Sequence, residues 1–404
     1  MIKYNTMLIG LVGKPSSGKT SFLNAACMTT AKVGNYPFTT IEPNPGTAYV
    51  AVNCPCKELG VKDNPNNSIC VNGKRLIPIN LLDVAGLVPG AWEGKGLGNK
   101  FLDDLRRADA LINIVDAAGT TDAEGQSVKP GSWDPLKDIE FLDYEIIMWF
   151  SEIIKRDWRK FTRRLETEKI PFVETMVDRL SGLGIIRTHI LHAVKKGNLN
   201  ADKPSSWSDA NIETFVKELL IVAKPMVIVA NKMDLEPAKE NIKRMKEALQ
   251  KTVVPTCTLG EYWLRRYAEK NVIDYQPGNS TFTILQQEKF SEKELQILNN
   301  LKKLLTEFGS LGVQQALNFT VFEILDMIPV YPVHDVQTYS DQDGRVLPDV
   351  YLVNRGITLR KFAGKIHTDF EKFFIHGIDA RTKRRLGENY ELKEGDIVKI
   401  VSAK

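Results

Sequence analysis

Short apolar runs recur along this chain, and most end in residues that carry chemistry rather than in ordinary turns. Residues 7–12, 47–52, 75–82, 110–116, 226–230 and 253–255 read as buried strands. Helical patterns separate them. Asp134-Pro135 supplies an N-cap and a proline at the first helical position; Ile139, Leu142, Ile146, Phe150, Ile153 and Ile154 then recur at helical spacing. Further helical stretches run through 172–196 and 208–223. Ser291-Glu292-Lys293-Glu294 is a capping box, opening a helix with Leu295, Leu298, Leu301 and Leu305 inward and a stop near Gly309. From Phe319 the pattern changes to short strands, 320–325, 350–353 and 396–401, with one helix over 359–370. The expected fold is an α/β domain in two parts, 1–133 and 213–316, with a helical, coiled-coil-like insertion at 134–212 and a small α+β domain at 317–404.

Composition narrows this little. At 404 residues the chain exceeds one compact core. A formal charge of +4 permits a nucleic-acid partner without demanding one. No apolar run reaches membrane-spanning length, so no membrane partner is expected. The N-terminal apolar run ends in a glycine-framed loop, not a cleavage site, and reads as a core strand rather than a signal peptide. Five cysteines, an odd number, suggest a reducing compartment, and the expected location is the cytoplasm.

The strand ends carry the function. Gly13-Lys14-Pro15-Ser16-Ser17-Gly18-Lys19-Thr20 lies between the first strand and the helical segment from Ser21, the spacing and context of a P-loop. Glycine at each end lets the backbone curl so that its N–H groups surround a phosphate chain. Lys19 suits the β- and γ-phosphates and the Thr20 hydroxyl suits Mg²⁺. The proline-rich loop after the first helix holds Thr39 and Thr40, placed where a nucleotide switch senses the γ-phosphate. The next strand delivers Asp83-Val84-Ala85-Gly86: a carboxylate for Mg²⁺ and a glycine N–H for the γ-phosphate. Asn231-Lys232-Met233-Asp234 carries base identity. One carboxylate, Asp234, accepts from both N–H groups on the guanine edge, which favours GTP over ATP; Asn231 ties this loop to the P-loop and the Lys232 stem covers the base. Thr256-Cys257-Thr258 occupies the place of a loop whose backbone touches the guanine oxygen.

These residues resemble the Obg/YchF-type GTPases, in the archaeal and fungal branch of the Obg-like ATPase group. The resemblance rests on Thr39-Thr40-Ile41-Glu42-Pro43-Asn44, on the segment from Asp83 to Ala91, and on that from Gly96 to Arg106, and it spans essentially the whole chain. It implies a P-loop NTPase G domain with a helical insertion, followed by a ubiquitin-like TGS domain. It also implies phosphate contacts from Lys14 to Ser21, Thr40 rather than Thr39 as the switch threonine, and Mg²⁺ at Thr20, Thr40 and Asp83. Lys19 and Thr40 would be the catalytic pair. The implied partner is the ribosome or its RNA, not DNA; oligomeric state is left open.

Three departures bear on this. Many YchF members have Asn-x-x-Glu and prefer ATP, so Asp234 supports GTP with ATP as the alternative. Ser16 stands where K⁺-using relatives have asparagine. Cys54, Cys56, Asp63 and Cys70 stand where close archaeal relatives resemble a four-cysteine cluster; three thiolates and a carboxylate suit Zn²⁺, but a degenerate loop with free thiols is the expectation, without zinc. Leu87 follows Gly86 where Ras-type enzymes have a water-orienting glutamine, so slow intrinsic hydrolysis is expected.

Two basic segments are candidates for RNA contact. The run from Lys155 to Arg164 interleaves six basic residues with Trp158 and Phe161, read either as an RNA surface or as a solvated helix end with core aromatics. Lys383, Arg384 and Arg385 lie in an expected loop of the C-terminal domain as RNA-facing residues. A GTP-hydrolysing switch in translation is the leading expectation. Nucleotide-gated ribosome binding with incidental hydrolysis is an alternative, and a small-molecule kinase is disfavoured because such kinases lack the motif at 231–234.

Overall fold

A computed structural model describes residues 7–27, 45–84, 86–87, 89–93, 104–249 and 251–403. Thr39, Thr40 and the segment 94–103 lie outside them. The chain builds its main sheet from β1 (Leu8–Val12), β2 (Pro45–Asn53), β3 (Ile69–Val71), β4 (Lys74–Asp83), β5 (Ala110–Asp116), β6 (Met226–Asn231) and β7 (Val253–Thr256). The order is β2-β4-β1-β5-β6-β7, with β3 also pairing β4. β4, β1, β5, β6 and β7 run parallel; β2 and β3 are antiparallel to β4. β5 is buried at every position, as expected of a strand covered on both faces. Because the central strands are parallel, their C-terminal ends gather on one edge. Gly13, Asp83, Asn231 and Thr256 all sit there, which is where open α/β sheets place ligands.

The insertion starts with the helix Pro135–Lys155, whose Asp134 side chain accepts from the Leu136 N–H as an N-cap. Four shorter helices follow, Trp158–Glu168, Phe172–Leu180, Arg187–Lys196 and Asp209–Ala223. The expected continuous stretch over 172–196 is broken. A short turn at Ser181–Leu183 ends on Gly184 at φ 72°, a left-handed position that stops the helix. Trp158 is buried among Phe161, Phe172 and Trp207, and the Arg179 guanidinium lies over Phe161. The aromatics of the basic run therefore belong to the insertion's core.

After a ribbon of β8 (Ile273–Asp274) and β9 (Thr283–Ile284), the expected capping box opens the helix Glu292–Phe308, which Gly309 ends at φ 78°. The C-terminal sheet has the order β11-β10-β14-β12-β13, from β10 (Met327–Pro332), β11 (Tyr351–Asn354), β12 (Phe374–Asp379), β13 (Arg385–Leu386) and β14 (Ile397–Ser402). Three corrections arise here. The strand expected over 320–325 is helical as far as Ile324: Phe319–Ile324 continues the helix Val313–Asn318 as a π turn, with the Thr320 hydroxyl bonded back to the Ala316 carbonyl at 2.7 Å. Its apolar run is too short for periodicity to separate strand from helix, and burial of Val321 against the main core decides it. The helix expected over 359–370 divides at His367, whose extended backbone and ring nitrogen cap a second helix, Thr368–Lys372. Finally, β10 and β12 were not foreseen, since Pro329, Pro332 and Gly377 interrupt their apolar patterns.

β2 is an edge strand, and an exposed edge invites pairing with another chain. Here the helix Val313–Asn318 covers it. The Asn318 side chain accepts from the Ala51 N–H and donates to the Ala51 carbonyl, both at 2.9 Å, while Gln314 donates to the Tyr49 carbonyl at 2.8 Å. Asn318→Ala leaves both Ala51 groups unpaired beneath a helix, so we expect a loss of about 1–3 kcal/mol in urea unfolding and increased aggregation. An unchanged unfolding midpoint would refute this role.

Candidate nucleotide-binding site

The residues from Gly13 to Thr20 curl between β1 and the helix Lys19–Cys27. Gly13 and Gly18 have φ of 138° and 108°, values that L side chains avoid, and a Cβ on Gly18 would collide with the Asn231 amide. The Lys19 ammonium spans the loop, donating to the Lys14 carbonyl at 2.8 Å and the Gly13 carbonyl at 3.1 Å. Burial drives its pKa down to about 8, against the opposing pull of Asp83. Ser17 Oγ is buried and has no partner among the described residues. A glycine-framed loop, an orphaned hydroxyl and a desolvated ammonium fit a polyphosphate.

The remaining strand ends close on this loop. The Thr20 hydroxyl donates to Asp83 Oδ2 at 2.7 Å. A hydroxyl and a carboxylate side by side form an oxygen donor pair suited to Mg²⁺. Gly86 lies against Pro15 and the Lys19 ammonium, where a Cβ would crowd both at 3.0–3.2 Å, and the Leu87 N–H reaches the Gly13 carbonyl at 3.4 Å. Leu87 itself is 2% exposed and faces the core. Asn231 donates to the Ser17 carbonyl at 2.9 Å and accepts from the Thr258 N–H at 3.2 Å and hydroxyl at 2.7 Å. Asp234 is exposed beyond it, with the Cys257 thiol donating to its carboxylate at 3.3 Å. Thr256, Cys257 and Thr258 are buried.

Two side chains are committed elsewhere. Lys14 turns away from the loop to pair with Asp138 at 2.8 Å, bond the Thr121 carbonyl at 2.7 Å and lie over the Trp133 ring. Its backbone alone is left for phosphate. Lys232, in left-handed backbone at φ 64°, reaches Asp116 at 3.0 Å and Thr120 at 2.8 Å. Burial works against charge on Asp116, yet hydrogen bonds from Thr120, Lys232 and Thr121 hold its carboxyl below the usual range.

Sequence reasoning missed these supporting residues. Asp138 also accepts from the Trp133 indole, and Gly125 packs on Pro15. Glu145 accepts from the Gly90 and Trp92 N–H groups at 2.8 and 2.9 Å, just past Gly86. Buried acids at positions 138 and 145 on an otherwise apolar helix face were the available signal. Far from this pocket, Arg384 and Arg385 are exposed, while Lys383 bonds the Val336 carbonyl and lies over Tyr339.

A P-loop, an Asp-x-x-Gly strand end and an Asn-Lys-x-Asp strand end joined by direct hydrogen bonds define the class of P-loop GTP-binding proteins. Family models agree: one described as a 50S ribosome-binding GTPase matches residues 8–147, an Obg-like GTPase G4-motif domain (YGR210-like) matches 229–335, and a TGS domain matches 336–402. A GTP-binding protein of Methanocaldococcus jannaschii is 46% identical over 98% of this chain and 99% of its own length. The Bacillus subtilis protein named ribosome-binding ATPase YchF is 25% identical over 96% of this chain and 97% of its own. A crystal structure of a GTP-binding protein from Pyrococcus horikoshii covers 98% of this chain and 100% of its own at 41% identity, with a TM-score of 0.80. The Schizosaccharomyces pombe YchF GTPase shares the fold, with a TM-score of 0.57 at 20% identity, covering 99% of this chain and 100% of its own. The chain belongs to the Obg/YchF family of GTP-binding proteins.

The buried Lys19 generates a test that is independent of turnover. Holding its charge in the buried phosphate loop costs the fold on the order of 3 kcal/mol. The penalty is full below pH 8 and fades as pH rises toward the ordinary lysine value, because the unfolded chain then holds the extra proton. Lys19→Met should therefore abolish triphosphate binding yet raise the melting temperature of the nucleotide-free protein, with a smaller gain at pH 9.5 than at pH 7. A variant that melts lower at both pH values would contradict this account.

Proposed function

We propose that this protein binds GTP with Mg²⁺, hydrolyses it to GDP and phosphate, and uses the cycle as a switch on the ribosome. The observation that carries the nucleotide reading is the Asn231 bridge, which fixes the loop bearing Asp234 beside the phosphate loop. Gly13–Ser21 would hold the phosphates; Asn231, Lys232, Asp234 and the segment 256–258 would frame guanine. Bound at Thr20 and Asp83, with Thr40 as the proposed switch ligand, Mg²⁺ would supply charge neutralisation. Lys19 and the loop amides stabilise charge as the γ-phosphoryl group leaves. Buried Leu87 cannot orient water, so another group does so and turnover without a partner is slow.

ATP is the second reading, favoured by the names of relatives such as human Obg-like ATPase 1, 26% identical over 98% of this chain. Asp234 opposes it, because adenine offers no matching pair of donors. Titration with Mg²⁺-GTP and Mg²⁺-ATP should favour GTP by at least about tenfold. Asp234→Asn should weaken GTP and improve binding of xanthosine triphosphate. Equal or tighter ATP binding would overturn the guanine assignment.

The ribosomal partner is supported by the name of the B. subtilis relative and by the TGS match. Arg384 and Arg385 are the exposed basic pair of the C-terminal sheet's hairpin, with Lys383 contributing less because its ammonium is engaged. Arg384→Glu with Arg385→Glu should reduce co-sedimentation with ribosomes, most visibly at low salt, and leave GTP affinity intact. Wild-type pelleting at both low and high salt would remove these residues from the interface.

A further inference from the structure

At the opposite end of β4 from Asp83, three thiols and a carboxylate converge. Cys54 precedes the short helix Pro55–Leu59, Cys56 lies within it, Asp63 is in the following loop and Cys70 is in β3. One ligand atom from each lies within 4.8 Å of all the others. The Cys56 and Cys70 sulfurs are 3.8 Å apart, and Cys54 Sγ is 3.1 Å from Asp63 Oδ2. A tetrahedral ion with Zn–S bonds of about 2.3 Å holds its sulfurs about 3.8 Å apart. A disulfide would need about 2.05 Å.

The surroundings support an anionic cluster. Arg75 is fully buried, and its guanidinium reaches Asp63 at 3.0 Å, Cys54 at 3.4 Å and Ser68 at 3.0 Å, with the Tyr331 ring beside it. Asp63 is its charged partner, and a thiolate at Cys54 would add a second. Three thiolates and one carboxylate would exceed the charge of a divalent ion by two, and Arg75 offsets one of these. Such a partner is what orients metal ligands from behind. The backbone is also built to hold the cysteines: the Cys54 N–H meets the Gly73 carbonyl at 2.8 Å, and the Cys56 carbonyl accepts from Val61 at 3.0 Å.

We propose that Cys54, Cys56, Asp63 and Cys70 form a structural Zn²⁺ site. Thiolate ligands select zinc over magnesium or calcium. Binding exchanges thiol protons for the ion, releases them to solvent and leaves every sulfur in its reduced state. The site has a clear structural task. The loop that carries Asp63 docks on the C-terminal domain: Asn64 and Asn66 donate backbone N–H bonds to Val346 and Pro348, Asn67 exchanges two bonds with Val350, and Arg75 reaches the Leu347 carbonyl. Four ligands from the hairpin fix that loop and thereby the docking surface.

The test uses the full chain purified under reductant without chelator. Elemental analysis should give about one Zn²⁺ per chain, and Cys56→Ser with Cys70→Ser should remove it while GTP binding persists. Cobalt-loaded wild type should show thiolate-to-cobalt absorption in the near ultraviolet, which decides the matter even if the double variant fails to fold. Wild type that retains no metal after exposure to Zn²⁺ and gel filtration would overturn the site. So would a folded double variant that retains as much zinc as wild type, or a stoichiometric metal other than zinc.

Discussion

The nucleotide site depends on one side-chain amide. Asn231 donates to the carbonyl of Ser17 and accepts from both donors of Thr258, so three strand ends that are distant in sequence are held together through one buried group. Both ends of an amide are costly to leave unpaired when buried. Neither an aspartate, which cannot donate, nor an aliphatic residue satisfies both sides. The close approach it enforces also explains Gly18, where any Cβ would strike that amide. The order of parallel strands brings these ends to one edge, and Asn231 converts proximity into fixed geometry.

Around that bridge lies a second layer of buried charge. Lys14 pairs with Asp138, and Lys232 with Asp116, with the Asp138 carboxylate and the ammonium of Lys14 both almost fully enclosed. Pairs of this kind contribute little net stability, because desolvation consumes most of the attraction. Removing one partner is what costs. Their effect is to specify position: the Lys14 side chain is held on the insertion's first helix, and the phosphate loop presents its backbone. Burial outweighs Lys14 and Trp133 in setting the Asp138 pKa above its ordinary value, which shows how nearly balanced such a pair is.

The parts of this arrangement that could be read from sequence were those in which spacing alone carries the chemistry. Gly13 to Thr20, Asp83 to Gly86 and Asn231 to Asp234 each sit at the end of an apolar run, and the Asn231 bridge to the phosphate loop was legible because that motif has a single geometric purpose. Asp138 and Glu145 were not, since each is one acid on an apolar helix face and its partner is long-range. The helix at 319–324 was misread because six residues do not distinguish one period from another. β10 and β12 were hidden by proline and glycine, residues that argue against interior strands, yet both lie inside the C-terminal sheet.

The two appendages of the G domain are joined to it in different ways. The C-terminal sheet is fixed to β2, β4 and their hairpin through Asn67, Arg75 and an Arg381–Glu58 pair, all at the end of β4 opposite Asp83 and the phosphate loop. The helical insertion is joined at the pocket itself. Asp138 holds the side chain of a phosphate-loop residue, and Glu145, two turns along the same helix face, binds the backbone at Gly90 and Trp92 just beyond Gly86. The insertion therefore meets the strand-end loops directly, whereas the Arg75 contact to the C-terminal domain lies at the other end of β4. In this architecture the first helix of the insertion, and not the C-terminal sheet, bonds both the phosphate loop and the segment that follows Gly86.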